Sequence, residues 1–116
     1  MAKLSTNSTF DWNQLHQLAG GDSEFEIELL QMFLEDADSS LNQLAEAIAA
    51  NHINQVEEIA HYLKGASANV GACALSQSAG QLELQARHGQ LTQTDLRLQE
   101  LKALCGEVRQ LVLERC

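Results

Sequence analysis

The residues best suited to chemistry lie in one run, Ala60-His61-Tyr62-Leu63-Lys64-Gly65-Ala66-Ser67-Ala68-Asn69-Val70-Gly71-Ala72. Leu63 and Ser67 continue a stripe begun by Ile53, Val56 and Ala60, a spacing that predicts a helix. At about 100° per residue, His61 sits roughly 140° from the centre of that stripe and points outward. Gly65 and Ala68 follow on the His61 side. A glycine inside a helix costs about 1 kcal/mol relative to alanine, so helix propensity does not explain Gly65. An exposed imidazole beside bare backbone is open to a large, flat partner. An imidazole in water titrates near pH ~6.5, which leaves a neutral ring nitrogen available as a nucleophile near neutrality. Lys64, three residues on, can bring an ammonium towards an anion carried on that ring, such as a phosphoryl group. The plain alternative is a solvated surface histidine with no role; Lys64, Gly65 and Ala68 together argue against it.

Other helices must hold this one in place. Asp11 is suited to cap a short helix with Trp12, Leu15 and Leu18, stopped by Gly20-Gly21. A long helix opens near Asp22 or Ser23, with Ile27, Leu30, Leu34, Ala37, Leu41, Leu44 and Ile48 spaced three and four apart. Asn51 breaks it, the His61 helix follows to Gly71, and a fourth helix carries Leu75, Ala79, Leu82 and Ala86 as far as Gly89. The last is expected to be capped by Thr92, with Asp95 three residues on, and to bury Leu98, Leu101, Cys105, Val108 and Val112. Short links between amphipathic helices imply antiparallel neighbours. The expected fold is all-α, an antiparallel up-down-up-down four-helix bundle with a short extra N-terminal helix across one end. Residues 1–9 are expected to be a disordered or frayed N-terminus and residues 10–116 one domain.

Composition narrows the chemistry further. The chain of 116 residues has no proline, where average usage would give about six. Only 4 % of residues are aromatic, which argues against a β-sandwich or barrel. Seven basic against sixteen acidic residues give a formal charge of -9, with no Lys/Arg cluster, so nucleic acid and anionic membranes are poor partners. Three widely spaced cysteines, Cys73, Cys105 and Cys116, read as reduced thiols. With no secretory signal and no span-length apolar run, the expected location is cytoplasmic.

The central run, in the form Ala-His-x-Leu-Lys-Gly-x-Ser-x-x-Val-Gly-Ala, closely resembles the signature of histidine-containing phosphotransfer (HPt) domains. The resemblance extends to Phe10-Asp11-Trp12 with Leu15 and Gly20-Gly21-Asp22, to Leu29-Leu30 through Asp36-Ala37, and to Leu82-Glu83 with Ala86-Arg87 and Gly89. It implies that His61 accepts and donates a phosphoryl group through Nε2 in a multistep phosphorelay. Lys64 would help hold that group and Gly65 would give the partner access. The implied partners are receiver domains of hybrid histidine kinases and of response regulators, each with its own aspartate and Mg²⁺. The domain itself would need no cofactor and have no kinase or nucleotide-binding activity. A second reading keeps the fold as a non-phosphorylated helical adaptor. The initiating methionine and compact length favour a free-standing protein over a piece of a hybrid kinase, and a closed bundle favours a monomer.

Three further signals carry weaker readings. In some relatives a polar side chain on the next helix reaches the phosphoryl group. Arg87 would suit that role, while Glu83 would repel phosphate; a solvated Glu83–Arg87 pair is the preferred reading, and both stay outside the site. Glu58-Ile59-Ala60-His61 spells the Glu-x-x-His of di-iron bundles, but it occurs once and faces outward, and His16, His52 and His88 lack ligand spacing, so no metal site is expected. Phe25, Leu29 and Met32 form a second apolar stripe on the long helix. The short helix is expected to cover it; alternatively part of it stays exposed near His61 and docks the receiver.

Overall fold

The structure is a computed structural model and describes residues 10–115; the segment 1–9 and Cys116 lie outside the described residues. Five helices follow in order: α1 Trp12–Leu18, α2 Ser23–Ala49, α3 Ile53–Val70, α4 Cys73–Arg87 and α5 Thr94–Arg115. Among the described residues there is no strand. Helices α2 to α5 close into a ring, each packed on the next and α5 back on α2, while α1 lies against α3 and α2. At about 1.5 Å per residue the 27 residues of α2 span the 41 Å long axis of the molecule.

Each boundary has a local cause. Asp11 Oδ1 accepts from the Gln14 amide at 3.2 Å, and Asp22 Oδ1 from those of Glu24 and Phe25 at 3.0 and 3.2 Å, so both aspartates cap the helices they precede. Asn51 takes a left-handed φ of 60° between α2 and α3. Helix α3 ends in Gly71 at φ 88°, with the Ala72 amide donating to the Ser67 carbonyl at 2.9 Å, a Schellman-type close. Gly71 also meets a tertiary demand. The Asp11 amide donates to its carbonyl at 2.6 Å, and a Cβ on Gly71 would run into the Asp11 carbonyl. With the Gln14 side-chain amide on the Asn69 carbonyl at 3.3 Å, this close approach seats α1 across the C-terminal end of α3.

Burial follows the three–four spacing through the middle of α2, where Leu30, Leu34, Ala37, Leu41 and Leu44 are buried. At its ends the seam drifts. Ile27 and Ile48 are half-buried and Phe33 and Ala47 are inside, as expected when a 3.6-residue helix meets a 3.5-residue pattern. One expected cap is corrected. Helix α5 opens at Thr94, after Gln93 at φ 64°, and the first carbonyl to accept in it is that of Gln93. Thr94 is buried with its hydroxyl donating to the Leu91 carbonyl at 3.0 Å. Sinking that side chain starts the helix one residue later than the Thr92–Asp95 pattern implies, with Gln93 in the cap position.

Cys73 and Cys105 are free thiols in α4 and α5. Burial pushes the Cys105 thiol up to about 11, which makes it an inert core residue. No helix among the described residues is long and apolar enough to cross a membrane.

Candidate functional site

Helix α3 turns its apolar side, Val56, Ala60, Leu63, Ser67 and Val70, into the core. His61 is thereby driven outward, its side chain 69 % exposed, beside exposed Gly65 and Ala68. Nothing lies within 4 Å of where a Gly65 Cβ would stand, so that glycine fills no packing requirement inside the chain. The side chain of Lys64 leaves α3 in another direction, towards α4. A Cβ on Gly80 would come within 3.2 Å of Lys64 Cδ, so the bareness of Gly80 gives the lysine stem its path. Ser76 Oγ donates to the Lys64 carbonyl at 2.9 Å and pins the two helices at that level.

Both His61 and Lys64 converge on Glu83, which the sequence reading left outside the site. The Glu83 side chain is only 5 % exposed. Its Oε2 is 2.8 Å from His61 Nδ1 and 3.0 Å from an Arg87 guanidinium nitrogen, and its Oε1 is 2.8 Å from Lys64 Nζ. Arg87 in turn donates from Nε to Glu57 at 3.0 Å. The Glu83–Arg87 pair is thus real, but its reading as a solvated helix pair is corrected: Glu83 is a buried hub. The signal was present in the spacing, since Glu83 stands four residues after Ala79 and three before Ala86, both buried on the core face of α4.

The Lys64 hydrogen bond is the main influence that holds the Glu83 carboxyl below its ordinary range; burial pushes the other way, and the His61 bond adds to the lowering. An ionised carboxylate only accepts, so the proton between it and His61 belongs to Nδ1. A neutral His61 ring then has its lone pair at Nε2, on the far side from Glu83. The formal charges of Glu57, Glu83, Lys64 and Arg87 cancel, which leaves a site of low net charge in a strongly acidic protein.

Beside the ring, Tyr62 donates its hydroxyl to Asp36 on α2, and this bond raises the Tyr62 pKa. The bond sets the level of α2 against α3, and Met32 stands one turn from Asp36. The cover expected from α1 over the second apolar stripe is partial. Leu29 is half-buried and Leu15 fully buried, but Met32 is 64 % exposed and Phe25 and Leu18 are also open. Glu58 is exposed, and among the described residues no group of three or more His, Cys, Asp or Glu is placed to hold a metal ion.

The family model described as the Hpt domain matches residues 28–111, which includes the whole His61 helix and Glu83. The chain belongs to the Hpt domain family. The crystal structure of histidine-containing phosphotransfer protein B from Pseudomonas aeruginosa PAO1 superposes with a TM-score of 0.85 at 29 % identity, over 92 % of this chain and 94 % of that one. The Hpt domain of a sensor hybrid histidine kinase from Shewanella has the same fold, with a TM-score of 0.74 at 19 % identity and 93 % of each chain covered. By sequence this Hpt domain is 37 % identical over 65 residues to histidine-containing phosphotransfer protein 2 of Oryza sativa subsp. japonica, over 54 % of this chain and 44 % of that one. It is 26 % identical over 99 residues to the phosphorelay intermediate protein rdeA of Dictyostelium discoideum, over 85 % of this chain and 39 % of that one. The chain therefore spans less than half the length of each of these two curated relatives.

Proposed function

We propose that this Hpt domain is a phosphocarrier: His61 takes a phosphoryl group from the aspartate of one receiver domain and passes it to the aspartate of another. The observation that carries the reading is the His61–Glu83 pair, which keeps the proton on Nδ1 and turns the Nε2 lone pair outward. In the forward step Nε2 attacks phosphorus, an N–P bond forms, the acyl-phosphate P–O bond breaks, and the electron pair returns to the aspartate carboxylate. The ring becomes a phosphoimidazolium whose Nδ1–H still rests on Glu83, so the positive charge created on the ring faces a buried carboxylate. Lys64, one turn along the same helix, would help hold the incoming phosphoryl oxygens.

Such a step needs positioning and charge balance more than acid–base chemistry from the carrier. Metal chemistry would be supplied by the Mg²⁺ of the receiver. The domain would act in the cytoplasm as a non-catalytic intermediate, without kinase activity. Bare backbone at Gly65 lets the receiver approach, and the open patch of Leu18, Phe25 and Met32 supplies apolar contact area for a transient complex.

Mixing a phosphorylated receiver domain with the wild-type chain and with His61→Gln tests the reading. Label on the wild type alone, labile in acid and stable in base, is the expected result. No transfer from any of a panel of receivers to the folded wild type would instead leave a helical adaptor that binds without carrying phosphate.

A further inference from the structure

A second exposed histidine in this molecule is held in the same manner as the first. His16, in the last turn of α1, has a side chain 60 % exposed, and its Nδ1 lies 2.6 Å from Oε2 of Glu26, whose side chain is 3 % exposed. The other oxygen of Glu26 accepts from Arg115 at 3.0 Å, and the Arg115 guanidinium lies 4.3 Å from the centre of the Trp12 ring. A carboxylate shared with an arginine acts as acceptor, so Nδ1–H of His16 donates to Glu26 and the neutral ring keeps its lone pair at Nε2.

Gly21 stands beside that nitrogen. A Cβ on Gly21 would meet the Nε2 edge of the ring at 3.7 Å, and glycine leaves that space free. Beside the ring, Trp12, Asn13, His16, Glu26 and Arg115 line a hollow of about 230 Å³. A histidine that served only to staple α1 onto α2 and α5 would gain most from burial, and this ring is more than half exposed. His52 and His88 are exposed as well, but neither is paired with a carboxylate among the described residues; the Nδ1 of His52 faces the neutral amide of Gln55.

We propose that His16 is a second phosphoryl-acceptor site, taking the group on Nε2 from small phosphoramidates or acyl phosphates. In the phosphoramidate case Nε2 attacks phosphorus, the N–P bond to the ring forms, the donor P–N bond breaks, and its electron pair leaves with ammonia. The product is a phosphoimidazolium whose Nδ1–H remains on Glu26, so the positive charge formed on the ring faces a buried carboxylate. Pairing with a carboxylate makes the ring a better nucleophile than a merely solvated one.

The test uses the full chain carrying His61→Gln, which removes the first site and makes the result independent of the phosphorelay reading. Phosphoramidate and a phosphorylated receiver are applied in separate arms, and nitrogen–phosphorus coupling is read at each remaining imidazole. The expected result in the phosphoramidate arm is phosphate on Nε2 of His16, accumulating about tenfold faster than on His52 or His88. Label there from phosphoramidate alone identifies a small-molecule donor; label in both arms adds a protein donor. A chain that takes no phosphate, or takes it equally on all three rings, overturns the proposal. Adding Glu26→Gln should bring His16 down to the rate of His52, with circular dichroism showing the helices intact, and an unchanged rate would remove Glu26 from the site. The comparison among the three histidines needs no change within the cluster, so it decides the matter even if Glu26→Gln loosens the fold.

Discussion

Two buried glutamates, Glu83 and Glu26, each accept from Nδ1 of an exposed histidine and from an arginine, yet they are assembled in different ways. Around Glu83 every partner comes from α3 or α4, two helices joined by the two residues Gly71-Ala72, and Lys64 shares a helix with His61. Around Glu26 the partners come from α1 and α5, and Arg115 is 89 residues away in sequence. The His61 cluster adjoins bare backbone at Gly65 and the open Met32 side of α2, whereas the His16 cluster ties together the two ends of the described chain. A carboxylate–imidazole pair thus settles which nitrogen holds the proton, and the neighbouring surface decides what can reach the other one.

Five experiments sharpen or break that contrast. The largest effect is expected for His61→Gln, which should lower transfer from a phosphorylated receiver by at least ~10³-fold, since nothing else on α3 replaces the nucleophile. Retained transfer would mean that the receiver delivers phosphate elsewhere, with His16 the first place to look. Next comes Glu83→Gln. The amide can still accept from Nδ1–H but offers no charge to the phosphoimidazolium, and by analogy with other supporting carboxylates transfer should slow by about 10–100-fold. A rate within twofold of wild type would reduce Glu83 to a structural residue. Met32→Lys should slow transfer by roughly fivefold with helicity unchanged, through loss of apolar contact; kinetics identical to wild type would take that patch out of the docking surface.

The smallest effects concern stability. Replacing Glu26 with alanine unties three elements distant in sequence and should cost about 2 kcal/mol in urea denaturation, against nearer 1 kcal/mol for Glu83→Ala, whose helices are already joined by a short link. Equal costs would contradict the architectural difference. Acid separates the same groups. Glu83 and Glu100 are both held below their ordinary value of 4.5, Glu83 chiefly by Lys64 and Glu100 chiefly by the Ser78 hydroxyl. Their contribution to stability is therefore fully present above that value and is lost as the pH falls through their folded-state values. The melting temperature of wild type should drop steeply below pH ~4.5, and that of Glu83→Gln less steeply; parallel curves would show that the Lys64 and His61 bonds do not stabilise the folded state.

Much of the architecture was legible in the order of residues, because a helix obeys local rules. Spacings of three and four marked the buried face of each helix, aspartates at positions 11 and 22 marked two starts, and Gly71 marked an end. The same angular arithmetic turned His61 outward and made Gly65 conspicuous. The start of α5 was missed because capping patterns compete. Thr92 satisfies the pattern, but burying Thr94 determines where the chain enters the helix.

What no single helix could reveal is where an acid on one helix meets a base on another. Glu83 and Glu26 both keep the three–four register of the buried faces, Glu26 standing four residues before Leu30. A charge there can be sunk only if partners arrive from elsewhere. Whether they do depends on how α3 rotates against α4 and on whether the two ends of the chain meet, and those are properties of packing between elements. The sequence by itself therefore determined the helices, their inner faces and the exposed imidazole. Only the tertiary structure decided which carboxylate holds that imidazole, because the cost of burying an ionised group is set by neighbours that the chain brings together last.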